Sequence, residues 1–229
     1  KLASLFKKNR EEYEQKWNDI KIVIEYGMLS EEKFFEKSEK FALYPSVDEK
    51  YYTYEELFNK IKAKQTDKDD KLIILYTSDK EAQHSYIENA KAKGYEVLLL
   101  DSPIIGHLIQ KLETSKEKIS FARVDSDHID NLIKKDDSKV SKLSDDQKTN
   151  LENMLKDIIP SEKYTIKLES LDSKEHPFII TTPEFMRRMK EMQQTGGGGM
   201  FGAGNMPEIY NLVVNTNSDL VSEILKTKT

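Results

Sequence analysis

The residues able to do covalent or metal chemistry are few in this sequence, and their spacing argues against most of it. There is no cysteine among 229 residues. Disulfides, thiolate nucleophiles and zinc sites built on cysteine are therefore excluded. The four histidines, His84, His107, His128 and His176, never fall three to five residues apart, so no helix carries a metal-binding pair. Each is expected at the surface or in a loop. Asp125, Asp127 and Asp130 resemble a calcium loop only loosely. The third acid comes one place late and the required glycine is missing. No serine sits in a GxSxG elbow. Neighbouring acids such as Glu31 with Glu32, and Glu55 with Glu56, belong to first turns of helices, where the macrodipole accounts for them.

Phosphate chemistry fares no better. TSDKEAQ and DSPIIG follow two strand-like runs, and neither is a glycine-rich phosphate loop. The run 196–199 is four glycines, but it lacks the lysine and hydroxyl of a phosphate cradle and opens no helix. It reads as a flexible tether.

The chemistry that remains is apolar and adaptable. Residues 183–206, PEFMRRMKEMQQTGGGGMFGAGNM, hold five of the seven methionines and six of the nine glycines. At about 100° per residue, Phe185, Met189 and Met192 share one side of a helix, and Met186 flanks them. Arg187, Lys190 and Glu191 point elsewhere. Met200, Phe201 and Met206 follow beyond the glycines. Soft thioethers on a loosely tethered helix suit binding to varied apolar partners. A core helix followed by a loop is the alternative, although a glycine run between apolar residues is a poor way to build a fixed core. Contact with anionic lipid through Arg187, Arg188 and Lys190 is opposed by Glu184 and Glu191.

Composition sets the frame. Charged residues are 34% and hydrophobic ones 37%, as in a soluble chain with its own core. With 36 basic and 41 acidic residues the net charge is −5, which gives no footprint for nucleic acid. No apolar run approaches the ~18 residues of a membrane span, and no signal-peptide pattern opens the chain, so a cytoplasmic location is expected. Lys1 already stands in a helical pattern and the sequence stops just after one. Both ends read as cuts through a longer protein.

The elements fall in a clear order. Leu2, Leu5, Phe6, Tyr13, Trp17 and Ile20 predict one long amphipathic helix ending near Gly27. Ser30 caps a second, with Phe34, Phe35 and Phe41 inward. Pro45 and SVDEK form a loop. Thr53 and Glu56 form a capping box for a third helix, with Leu57, Phe58 and Ile61 inward. Then KLIILY and YEVLLL read as strands buried on both faces. A helix over 79–93, stopped by Gly94, lies between them, and another runs from Pro103 to about Glu113. Residues 121–124 give a third strand. This βαβαβ order implies a small parallel sheet flanked by helices. A turn or two of helix over 126–133 leads to the linker KKDDSKVSK.

A second unit opens with a capping box of Ser144 and Gln147, and Leu151, Met154, Leu155 and Ile158 line its helix. Strands follow at 164–168, 178–181 and 209–214. The methionine helix lies between the second and third, and Asn217 or Ser218 caps a last helix. The fold expected is thus α/β plus α+β: a helical segment (1–65), a small three-layer αβα subdomain (70–134), then an α+β domain (143–229) with a three-stranded sheet and a projecting amphipathic helix.

That order of parts resembles the carboxy-terminal half of the heat-shock protein 90 chaperones, in their bacterial branch. FKKNREEYEQKWNDIKIVIEYGM and YTYEELFNKIKAKQ are similar to the family's middle-domain helices. KLIILYTSDKEA and GYEVLLLDSPI look like the central strands of its small subdomain, and PFIITTPEFMRRMKEM with IYNLVVNTN like the strand, helix and strand of its carboxy-terminal domain. The likeness covers nearly the whole chain. It implies an ATP-dependent homodimeric chaperone, with co-chaperones, that acts on partly folded clients. ATP and magnesium bind an amino-terminal domain of the family, and the main dimer helices lie beyond the last residue here. By this resemblance residues 1–229 hold no cofactor, do not hydrolyse ATP and dimerise weakly or not at all. Client contact carries over to Phe185, Met186, Met189 and Met192, and to Met200, Phe201 and Met206 beyond the tether.

Two positions depart from the family. Ile105-Gly106-His107 stand where client-facing acidic and aromatic residues are common, so the resemblance carries no client contact there. Asn215-Thr216-Asn217 replace an Asn-Pro turn. The alternative function is a small-ligand or nucleotide-binding α/β protein using the sheet around residues 71–100.

Overall fold

The computed structural model describes residues 2–135, 139–195 and 208–227, with side chains described outside 191–195. The first apolar pattern folds as three pieces, α1 (Leu2–Lys8), α2 (Arg10–Gln15) and α3 (Trp17–Ser30), not one long helix. Asn9 makes the first break. Its backbone leaves the helical region (φ −151°) and its side chain accepts the Glu12 amide at 3.2 Å, the usual way asparagine competes with a helix. The break lets Arg10 reach across to Glu56 and to the Tyr51 carbonyl (2.9 Å).

Gly27 does not end α3. It lies inside it, where a Cβ would stand 2.9 Å from the Phe34 ring, so it allows close packing of the next helix. Ser30 caps nothing, since its hydroxyl donates back to the Tyr26 carbonyl at 2.9 Å. Helix α4 (Glu32–Ser38) therefore starts without a side-chain cap. The expected loop at Pro45 contains a short antiparallel pair, β1 (Tyr44–Pro45) with β2 (Tyr51–Tyr52). Both halves of the predicted capping box, Thr53 and Glu56, form at the start of α5 (Tyr54–Gln65). Leu57 and Ile61 are buried as expected. Phe58 is exposed, with Lys62 over its ring.

The parallel sheet is built as read. β3 (Leu72–Thr77) is central, α6 (His84–Ala92) follows it, and β4 (Val97–Leu99), α7 (Ile105–Ser115) and β5 (Ile119–Arg123) complete the unit in strand order β4-β3-β5. Strand alternation separates its two cores. Leu72, Ile74 and Tyr76 join the core formed with the amino-terminal helices and α7. Ile73 and Leu75 face Ile87, Ala90 and Ile129 on the other side. Gly94 ends the α6 segment at φ +73°, the left-handed position that favours glycine. The short helix α8 (Ile129–Leu132) is capped by His128, whose Nδ1 accepts the Asp130 amide at 3.3 Å. His128 stands in a loop, one of the two settings expected of it, and is buried there.

In the second unit, α9 (Asp145–Lys156) starts from the predicted box of Ser144 and Gln147. Leu151 is fully buried, but Ile158 lies past the helix end and is exposed. β6 (Tyr164–Glu169), β7 (Phe178–Thr181), α10 (Glu184–Thr195), β8 (Tyr210–Asn215) and α11 (Asp219–Thr227) follow. The sheet order is β6-β8-β7, with β6 parallel and β7 antiparallel to β8. A core of Leu143, Leu151, Leu212, Val214, Val221 and Leu225 lies beneath it.

One buried carboxylate has a measurable consequence. Glu25 on α3 borders a cavity of about 20 Å³ with Trp17, Met28 and Leu100, and its Oε2 has no hydrogen-bond partner among the described residues. Burial raises its pKa above the ordinary carboxylate value, opposed by Ser102 and Lys21. The folded chain thus holds this proton more tightly than the unfolded one does. The contribution to stability is full below the ordinary carboxylate pKa and is lost as pH rises through the folded value. Glu25→Gln should therefore stabilise at pH 7 by on the order of 1 kcal/mol and change little at pH 4. Thermal melts at the two pH values check this, and equal shifts at both would contradict it.

Candidate functional site

The expected binding helix lies where two units meet. β7 leads into α10 through Thr182, whose amide donates to the Asp125 carbonyl at 2.8 Å. The Tyr86 hydroxyl donates to the Ile180 carbonyl. Asn131 on α8 donates to Glu169 of β6 at 2.7 Å. Burial raises the Glu169 pKa, with the Asn131 hydrogen bond acting against it. The first turns of α10 are therefore set between the parallel-sheet unit and the second sheet.

The orientation of the helix is unusual for an amphipathic one. Phe185 is 73% exposed. Met186 and Met189 are half-buried beside it. Arg187, on the opposite side, is only 7% exposed. An amphipathic helix normally buries its apolar stripe and shows its charges. Here the cationic side is the docked one. Arg187 donates to the Tyr76 hydroxyl and to Glu184, and its guanidinium carbon lies 5.6 Å from the Tyr76 ring centre. Arg188 donates to Glu113 at 2.8 and 3.2 Å, to the Phe121 carbonyl at 2.8 Å and to Glu184 at 2.7 Å.

Of the predicted site residues, the structure brings Phe185, Met186 and Met189 together on this outward side. Met192 belongs to α10, but its side chain lies outside what is described. Met200, Phe201 and Met206 also lie outside the described residues. The docking role of Arg187 and Arg188 was not read from the sequence. The available signal was an arginine pair off the apolar stripe, three and four residues after Glu184.

The sheet ends show what a small ligand would meet. At the end of β3, Thr77 donates to Gln83 at 2.5 Å, and beyond it Asp79 accepts the amides of Glu81 and Ala82 at 3.0 Å each. The chain's own side chains thus occupy the groups a phosphate would use. A groove of about 350 Å³ lies beside Lys80, Leu99 and Asp101, but Glu11, Glu14 and Glu49 also line it. Lys21, which faces it, is paired with Asp101 at 2.6 Å. Acidic walls repel phosphate, which counts against the nucleotide alternative. The three aspartates of the weak calcium pattern are engaged as well: Asp125 with Arg123, Asp127 with the His128 amide, and Asp130 with Lys93.

Two sheet units thus meet at a helix whose Phe185 is exposed. Comparison with known proteins gives the class its name: a family model described as Hsp90 protein matches residues 1–229, and the chain belongs to that family. Within it, the chain is 46% identical over 228 residues to chaperone protein htpG of Bacteroides fragilis strain YCH46, covering 98% of the chain. It is 40% identical over 228 residues, again 98% of the chain, to chaperone protein HtpG of Porphyromonas gingivalis strain ATCC 33277. It is 28% identical over 178 residues, 72% of the chain, to that of Bdellovibrio bacteriovorus strain HD100. The chain spans about a third of the length of these relatives: 33% of each of the first two and 28% of the last. Among the described residues no helix is long and apolar enough to cross a membrane.

Proposed function

We propose that residues 1–229 form the client-binding portion of an ATP-dependent cytoplasmic chaperone. Residues 1–134 would be the end of its middle domain and 143–229 most of its carboxy-terminal domain. On this reading the ATPase site, with ATP and magnesium, lies outside these residues. So do the helices that make the working homodimer, and co-chaperones act on the assembled protein.

The observation that supports the reading best is the outward apolar side of α10, with Phe185 73% exposed beside Met186 and Met189. Covering a patch of a few hundred Å² at ~25 cal/mol/Å² contributes several kcal/mol before the cost of ordering both partners. That suits weak, reversible holding of non-native chains. Met200, Phe201 and Met206 would extend the patch.

The test is fluorescence anisotropy of labelled α-lactalbumin, reduced and carboxymethylated so that it stays unfolded, titrated with the 229-residue chain. Saturable binding with a Kd of roughly 1–100 μM, absent for native α-lactalbumin, is expected. Equal binding of both forms, or of neither, would sink the proposal. Magnesium-ATP titrated in the same way should leave the chain unchanged, whereas saturable nucleotide binding would favour the small-ligand alternative.

A further inference from the structure

The two arginines of α10 carry an inference about how its apolar side is kept outward. An isolated amphipathic helix lying on a protein lowers its free energy by rolling the apolar stripe inward. α10 has not rolled. Its Arg187 is 7% exposed and donates to the Tyr76 hydroxyl, the outer end of a buried tyrosine on β3. Arg188 faces a carboxylate that is already fixed. Glu113 on α7 accepts the Phe121 amide at 2.7 Å and the Ser120 hydroxyl at 3.4 Å. It then takes a two-pronged contact from Arg188 at 2.8 and 3.2 Å. The Phe121 carbonyl accepts a further donor of the same guanidinium at 2.8 Å. A planar guanidinium satisfied at two carboxylate oxygens and a carbonyl has one orientation, unlike a lysine ammonium. Glu184 at the start of α10 accepts from both arginines, which ties them to each other.

We propose that Arg187 and Arg188 are positioning residues for client binding. They set the roll of α10 on the parallel-sheet unit, so that Phe185 faces solvent with Met186 and Met189 half-buried beside it, while the guanidiniums face Tyr76, Glu113 and the Phe121 carbonyl. The inference rests on α10 being the client-facing helix. It adds that presentation of that helix depends on groups clients do not touch. Because Glu113 and Tyr76 belong to the parallel-sheet unit and α10 to the second unit, the same contacts link client presentation to the relative placement of the two units.

The test uses the 229-residue chain, which has no native cysteine. Spin labels at Thr114→Cys on α7 and Gln193→Cys on α10 report the placement of the helix. The unfolded α-lactalbumin probe reports binding, and far-UV circular dichroism reports folding. The double variant R187A/R188A should shift or broaden the label distance by roughly a helical turn, about 5 Å. It should also weaken probe binding by about fivefold or more, without loss of helix signal. Glu113→Gln breaks the fork from the other side of the contact and should do the same to a smaller degree. R187K/R188K, which keeps both charges but not the fork, should recover binding only in part.

Labels that hold their distance in R187A/R188A and in Glu113→Gln would overturn the proposal. So would labels that move while probe binding stays at its original strength. Phe185→Asp separates the two claims. If it abolishes binding while R187A/R188A leaves the labels unmoved, the positioning claim alone fails. If it leaves binding intact while R187A/R188A moves the labels, the client-facing reading fails, and the arginines remain only as determinants of the roll.

Discussion

Changing Met186, Met189 and Met192 together to aspartate should abolish most binding of an unfolded client, by at least about tenfold in Kd. The three positions lie within one helical stripe with Phe185. Each substitution exchanges a polarisable thioether for a solvated carboxylate. Covering that carboxylate with an apolar client segment removes its hydration with no partner in return. Met186 and Met189 are only half-buried, so the chain itself should tolerate the change. The docking side, Arg187 and Arg188, is untouched. Anisotropy with the unfolded probe and circular dichroism on the same sample check this. Undiminished binding would remove the helix from the account.

Asn215→Ala should destabilise the second unit by about 2 kcal/mol or more. Asn215 is fully buried at the end of β8. Its Oδ1 accepts the amides of Leu171 (3.2 Å) and Asn217 (3.0 Å), and its Nδ2 donates to the Asp172 carbonyl at 2.8 Å. Alanine strands the amides of the buried Leu171 and Asn217, and each buried polar group so stranded costs about 1–3 kcal/mol; the Asp172 carbonyl keeps the Glu175 amide at 3.0 Å. Asn217 continues the network. It accepts the Lys142 amide at 2.7 Å and donates to the carbonyls of Val140 (3.1 Å) and Leu171 (3.0 Å). Asn217 thus stitches the incoming linker to the end of the sheet. Urea denaturation should show an early transition from which Trp17, in the other core, is silent. A loss under about 1 kcal/mol would contradict this.

Much of this was legible in the sequence because its signals are local. KLIILY has the continuous apolar run of a strand buried on both faces, and it is central in the sheet. Thr53 with Glu56 and Ser144 with Gln147 carry their helix starts in a four-residue pattern. What was missed depends on distant partners. The break at Asn9 is stabilised by the contacts it allows Arg10 to make with Glu56 and Tyr51, more than forty residues on. Gly27 looks like a helix end until Phe34 is seen to need the space. Periodicity found the apolar stripe of α10 but not which side would be docked. That choice was made by Tyr76, Glu113 and the Phe121 carbonyl, none of which is near α10 in sequence.

The most direct measurement follows the methionine methyl groups. The chain has seven methionines, and assigned methyl-labelled spectra give each its own signal. Met28 is 1% exposed in the core with the amino-terminal helices, and Met154 packs on the core of the second unit. On addition of unfolded α-lactalbumin, the signals of Met186, Met189 and Met192 should shift or broaden in proportion to occupancy, while Met28 and Met154 stay in place. Shifts confined to residues away from α10, or spread equally over all seven, would contradict a client-binding helix held with its apolar side outward.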